Sequence, residues 1–235
     1  MAAVSDVRRR RLALAGAVVG VVFVVGVLVA NLGRGSSAPK PTGEPIEQPQ
    51  PAVASGSEPT AEVAGTATGF TRDGDGAVQA AVAYATASQR WLYFSDDEIR
   101  AAMAQIAAPA SVDRLATDVV ADVSVARERL GASSGRVWWL VRPLAWELEF
   151  HNTDKARVSV WVVTVLSAAE VAAPQSEWMT VTLDLAWVDG GWRVDAVRDT
   201  PGPTPMVGPG DRAWDAMPFD EALAGFTRMD GEPVL

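Results

Sequence analysis

Leu12 to Leu32 is a run of 21 residues without a charge, LALAGAVVGVVFVVGVLVANL, and four arginines, Arg8–Arg11, stand directly before it. As a helix rising 1.5 Å per residue, such a run spans the roughly 30 Å hydrocarbon core of a bilayer. It is apolar all round, so it offers no polar face to water and does not read as a helix of a soluble domain. The apolar part of a cleaved signal peptide is usually about 7–15 residues and ends in a small-residue cleavage site. This run is longer and ends in Asn31-Leu32-Gly33-Arg34, which reads as an uncleaved transmembrane helix over residues 12–32. The positive-inside rule puts residues 1–11 in the cytoplasm as a basic segment and everything after Arg34 outside. The expectation is a single-pass protein of the cell membrane with an extracytoplasmic domain.

Residues 33–68 change character. Six prolines among Ser, Thr, Gly and Ala, with almost no large apolar side chain, cannot bury a core. The stretch is expected to be a disordered linker, spanning about 30–36 Å as a flexible coil. Charge is uneven along the chain. Residues 1–32 carry four arginines and one acid, a balance of +3; residues 69–205 carry twelve bases and eighteen acids, −6; residues 206–235 carry two bases and six acids, −4. An acidic outer domain is unsuited to gripping a phosphate backbone, so no direct nucleic-acid partner is expected. There is no cysteine and one histidine, His151. Disulfides and thiol chemistry are excluded, and any His-dependent metal cluster or triad would rest on that residue. It falls in the polar turn FHNTDK and reads as an exposed loop residue. No catalytic, cofactor-binding or metal-binding residues are assigned.

From Gly69 the pattern is helical. Val78, Ala81, Val82, Ala85 and Leu92 recur at helical spacing in DGAVQAAVAYATASQRWL. Ser95 with Glu98 three residues on is a capping-box signature; Ile99, Met103 and Ile106 follow as one stripe, and Pro109 ends the helix. Val112, Leu115, Val119, Val123, Ala126 and Leu130 mark a third helix with Gly131 as its C-cap. After Gly135 the period becomes two. RVWWLVR and LAWELEF read as strand interrupted by Pro143, with Trp146, Leu148 and Phe150 on a buried face. RVSVWVVTVL is apolar on both faces, as a central strand is. WMTVTLDLAWV puts Val181, Leu183, Leu185 and Trp187 on one side, and WRVDAV puts Trp192, Val194 and Ala196 on one side. A two-residue turn at Asp189-Gly190 keeps these faces in register, with Trp187 opposite Trp192 and Leu185 opposite Val194; Gly190-Gly191 is the alternative turn. On the other face this register sets Asp184 opposite Asp195, and two close carboxylates raise one another's pKa. The plainer reading has both exposed, offset by Arg193.

The fold class expected for residues 69–205 is α+β: three helices packed on a curved antiparallel sheet of about four strands, cone-like in outline. Nine tryptophans stand against two tyrosines. Trp138 and Trp139 are adjacent and point to opposite faces of a strand, so one lies outside the main core. Exposed Trp is enriched at protein contacts, and Trp138, Trp139, Trp91 and Trp214 are the interaction candidates. Residues 206–235 form a C-terminal tail after a Pro/Gly break, with a candidate short helix over 218–226 that puts Phe219, Leu223 and Phe226 on one side. Gly-Phe-Thr-Arg occurs at Gly69 and again at Gly225.

A curved sheet wrapping a helix and ending in a W-x-V hairpin is similar to the nuclear-transport-factor-two-like fold. Anchor, linker and one such domain resemble the inner-membrane assembly factors of type IV secretion and their Gram-positive relatives. GFTRDGDGAVQAAVAYA, ARVSVWVVTVL and WMTVTLDLAWVDGGWRVDAVRDTPGPTP resemble membrane proteins of actinobacterial conjugative elements over residues 69–205. The resemblance implies a non-enzymatic, membrane-anchored scaffold of a conjugative DNA-transfer or secretion apparatus. It also implies envelope proteins of that apparatus as partners, homo-oligomerisation, and no cofactor. Actinobacterial proteins associated with lipid import share the layout and are the alternative. Cone-fold isomerases and hydrolases use an Asp base with Tyr or Asp donors, which would fall here on Tyr84, Tyr93, Asp184 and Asp195.

Overall fold

The computed structural model describes residues 61–63, 66–131, 137–205, 223–229 and 231. The expected cytoplasmic segment 1–11, the membrane helix 12–32, linker residues 33–60 and Trp214 lie outside the described residues. Among the described residues, no helix is long and apolar enough to cross a membrane. The fold is α+β, with the helices first and the long strands after.

Two short strands, β1 (Ala61–Val63) and β2 (Thr66–Thr68), pair antiparallel as a hairpin. Six of the last eight residues assigned to the linker thus lie in strands. Thr66 and Thr68 are buried, because β2 lies against the first helix. That helix, α1 (Gly74–Ala87), is capped by Asp73, whose carboxylate accepts from the Gly76 amide at 2.7 Å. Its buried residues fall all around it and are mostly Ala, which lets sheet and hairpin approach closely. A Cβ at Gly76 would run into the Thr71 carbonyl. The helix does not continue to Leu92. It tightens into a 3₁₀ turn, Ser88–Tyr93, that carries Trp91 into the core. Helix α2 (Asp96–Ile106) opens with the expected Ser95–Glu98 capping box and stops before Pro109. Helix α3 (Val112–Leu130) buries Leu115, Val119, Val123, Ala126 and Leu130. Gly131 is its C-cap, but in a right-handed conformation rather than the left-handed one that glycine usually supplies.

Four long strands follow: β3 (Val137–His151), β4 (Lys155–Ala168), β5 (Ala172–Val188) and β6 (Gly191–Pro201). A two-residue strand, β7 (Thr227–Arg228), completes a five-stranded antiparallel sheet in the order β6-β5-β4-β3-β7. The expectation of about four strands therefore falls short by the one from the tail. Pro143 does not break β3. It stays in register opposite Val162, and the irregularity it causes is absorbed by a bulge between Pro143 and Ala145. As expected, β4 is the central strand.

The sheet's inner face packs on the helices in one large core that includes Tyr84, Trp91, Ile99, Met103, Leu115, Val119, Trp139, Val160, Leu183, Leu185 and Trp192. Both sheet edges are covered in part, as open edges invite mispairing. At β3 the Tyr93 hydroxyl takes the Trp139 amide at 3.3 Å and donates to the Val137 carbonyl at 3.1 Å. At β6 the α2–α3 connection bridges to Val194, with the Ala108 amide donating to the Val194 carbonyl at 2.8 Å. Arg127 of α3 joins these parts. It pairs with Asp96 at 2.8 Å and donates to the carbonyls of Trp91, Leu92 and Phe94.

Candidate functional site

The β5–β6 hairpin follows its sequence signal. Asp189 and Gly190 both take positive φ, 50° and 78°, as the two central residues of a type I′ turn must. Trp187 faces Trp192 and Leu185 faces Val194. The indoles meet edge-to-face with centroids 5.3 Å apart, and the Trp192 Nε1–H donates to the Thr71 carbonyl at 2.8 Å. Arg72 lies over the Trp187 ring at 5.4 Å and ion-pairs with Asp154.

The expected Asp184–Asp195 pair does not form. A bulge between Asp184 and Leu185 leaves Asp195 as the extra residue on β6, and Asp184 stands opposite Ala196. The two carboxylates have separate partners: Asp184 takes the Arg157 Nε–H at 2.7 Å, and Asp195 takes the Ser111 hydroxyl at 2.7 Å. The bulge also changes the phase of β6, so Val197 rather than Ala196 reaches the core. Its advantage is local, because Asp195 and its carbonyl, which accepts from Arg114 at 3.1 Å, clasp the start of α3 to the sheet edge. The tyrosines are likewise engaged. Tyr84 is buried and donates to the Trp192 carbonyl at 3.0 Å, with burial raising its pKa; Tyr93 caps the β3 edge. All four groups proposed for cone-type acid–base work thus have hydrogen-bond partners within the fold. His151, at the end of β3, is exposed as expected, with its ring 6.0 Å from that of Trp192.

The structure brings together a different carboxyl pair. Asp199 of β6 lies near enough to Asp122 of α3 to feel its charge. Both Asp199 oxygens and the Asp122 Oδ2 are shielded from solvent and have no hydrogen-bond partner. Burial, reinforced by Asp122, holds Asp199 well above the usual carboxylate range. Burial and the neighbouring Asp118 push Asp122 up to about 6. Spacing along the chain gives no sign of this pair, because the two residues stand 77 positions apart, one on a helix and one on a strand. Among the described residues no group of three His, Cys, Asp or Glu is placed to hold a metal ion.

The outer face of the sheet is the other distinctive surface. Trp138 and Trp139 do point to opposite faces: Trp139 is 3% exposed in the core, with its Nε1–H directed at the Ser88 carbonyl, and Trp138 is 52% exposed on the outer face. Trp91 and Trp139 are therefore corrected as contact candidates, because each fills the core. Phe150 also departs from expectation. A second bulge, between Leu148 and Phe150, moves it off the inner face onto the outer one, where it is 50% exposed. Beside it the bulged end of the sheet holds a hollow of about 460 Å³, lined by Lys155, Arg157, Asp184, Leu185 and Asp195 among others. Between Trp138 and Phe150 lies a small separate apolar cluster of Ala145, Trp161, Leu223 and Phe226, with Leu144 and Trp178 packed against it. Leu223 and Phe226 come from the tail. Of the candidate helix over 218–226, residues 218–222 with Phe219 lie outside the described residues; residues 223–225 form a turn, closed by the Phe226 amide donating to the Leu223 carbonyl at 2.9 Å. The expectation that Leu223 and Phe226 share one side holds.

No family model and no curated protein matches the chain. Two solved structures are similar in fold. One is CagV, a VirB8 homologue of the type IV secretion system from Helicobacter pylori, at 10% identity and a TM-score of 0.35, covering 52% of this chain and 97% of that one. The other is the intermembrane space region of the chloroplast protein ARC6, at 11% identity and a TM-score of 0.31, covering 49% and 91%. At this level neither assigns a function to the chain.

Proposed function

We propose that this protein is a membrane-anchored, non-enzymatic scaffold whose extracytoplasmic domain assembles envelope proteins of a conjugative DNA-transfer or secretion apparatus. The observation that carries the reading is the outer face of the sheet. It displays Trp138 and Phe150 at its two ends, half exposed, whereas the inner face is closed by helices. Large exposed aromatics on a domain of net negative charge suit protein contact rather than nucleic acid. The engagement of Tyr84, Tyr93, Asp184 and Asp195 in structural bonds supports a non-catalytic role. The anchor and linker read from the sequence would hold the domain near its partners and make weak contacts effective. Crosslinking in cells followed by identification of the captured proteins tests this. Components of a transfer apparatus are expected. Recovery of lipid-import proteins alone would replace the reading with its alternative.

A second reading, a small-molecule-binding or enzymatic domain, draws on the shielded Asp122–Asp199 pair and on the 460 Å³ hollow, which exceeds the roughly 300 Å³ lower bound for such sites. It predicts that a small molecule accompanies the purified chain and is turned over on incubation.

A further inference from the structure

Two of the sheet's bulges meet at one hollow. One sets Phe150 outward on β3, the other leaves Asp195 as an extra residue on β6, and both residues line the space of about 460 Å³. Its walls are mainly apolar, from Ala156, Leu185, Ala186 and the half-exposed Phe150. Register fixes where its charges stand. Phe150, Arg157 and Asp184 lie opposite one another across β3, β4 and β5, and Lys155 opposite Ala186 is the next pair on that face. Asp184 accepts the Arg157 Nε–H at 2.7 Å, and Asp195 accepts from the Ser111 hydroxyl at 2.7 Å. Lys155 is exposed and makes no ion pair among the described residues.

We propose that this hollow binds an organic monoanion, a carboxylate carried on an apolar or aromatic body. The carboxylate pairs with Lys155, and the body lies against Phe150 and the strand floor at Ala186. Phe150 and Lys155 are diagonal neighbours on adjacent strands, about 7–8 Å apart at the backbone, so one ligand can touch both. Charge decides the class. One free cation stands beside an ion pair and one further acid, which suits a single negative charge and disfavours a phosphate dianion. Asp195 does not cancel the attraction. Its strand lies two spacings of roughly 4.8 Å from that of Lys155. Coulomb energy falls as the reciprocal of distance, so a carboxylate about 4 Å from Lys155 feels it more than twice as strongly as it feels Asp195. The inference deepens the small-molecule reading, on which it rests, by naming the ligand's class, and it requires no turnover.

The chain has two lysines, Lys40 and Lys155. Reductive methylation of the full-length protein in detergent micelles with carbon-13 formaldehyde therefore gives each a methyl signal that keeps the charge, and Lys155→Arg assigns the two. Added naphthoate is expected to shift the Lys155 signal and leave that of Lys40. Naphthamide, the same rings without the charge, should leave both. Phe150→Ala should weaken naphthoate binding by roughly three- to tenfold, the effect of one aromatic contact, and Trp138→Ala, at the other end of the face, should not change it. No shift at Lys155, a shift that naphthamide reproduces, or binding indifferent to Phe150→Ala overturns the proposal. Tighter binding of a short peptide ending in Phe with a free carboxylate than of naphthoate overturns it in favour of a partner's chain terminus. Because naphthoate is added, the outcome is separate from whether a small molecule accompanies the purified chain and is turned over, which tests the reading beneath it.

Discussion

The two faces of the sheet share the same four strands but are buried by different means. The inner face meets α1, the 3₁₀ turn, α2 and α3, and its residues form one continuous core. The outer face is covered, among the described residues, by one turn and a two-residue strand from the tail, and it keeps Trp138 and Phe150 half exposed. The contrast separates two kinds of information in one set of strands. Inner-face residues specify the fold, so changes there should act on stability. Outer-face residues such as Trp138 add little to the fold, so changes there should act on partners.

Trp192→Ala should separate the faces most sharply. Trp192 is fully buried, bonded to Thr71 and set edge-to-face against Trp187, and its loss should cost about 3–5 kcal/mol in chemical denaturation. Arg127→Ala comes next, at about 2 kcal/mol, because it removes the donor that serves the carbonyls of Trp91, Leu92 and Phe94.

The Asp122–Asp199 pair makes the inner face sensitive to pH. Both carboxyls are raised in the folded chain, so in that range the folded state binds more protons than the unfolded one. Their contribution is fully present below pH 3.8, the ordinary value, and is lost as pH rises, through about 6 for Asp122 and through the raised value that burial gives Asp199. Asp199→Asn should therefore flatten the fall of stability as pH rises above the ordinary carboxylate range. It should stabilise the domain at the high-pH end, where burial would otherwise oppose an ionised Asp199. A pH–stability curve unchanged by Asp199→Asn would remove the pair from the account. Trp138→Ala should be the mildest change, within about 0.5 kcal/mol of the parent; a loss comparable to that of Trp192→Ala would place Trp138 in the fold rather than on a working surface.

Local chemistry made part of this legible from sequence. The Asp189-Gly190 turn, the Ser95–Glu98 capping box and the alternation of β5 act within a few residues, so the hairpin, the start of α2 and the inner face of β5 could be read directly. The bulges could not. An extra residue at Asp195 or near Phe150 leaves the composition of the strand unchanged and reveals itself only when partner strands are aligned, and those two bulges undid the Asp184–Asp195 pairing and the inward reading of Phe150. The Asp122–Asp199 pair depends on how α3 lies over the end of β6, which is fixed by packing far along the chain. The tail segment was half legible: the spacing of Leu223 and Phe226 marked a shared side, but nothing local said that a turn and a strand would present it.

Position-resolved photo-crosslinking in cells tests the central claim most directly. A photoreactive residue is placed at Trp138 or Phe150 on the outer face, or at Val125, which is exposed on α3, and the adducts are identified. The account predicts adducts with transfer-apparatus envelope proteins from the outer-face positions and none from Val125. Adducts from Val125 with none from Trp138 or Phe150 would contradict it.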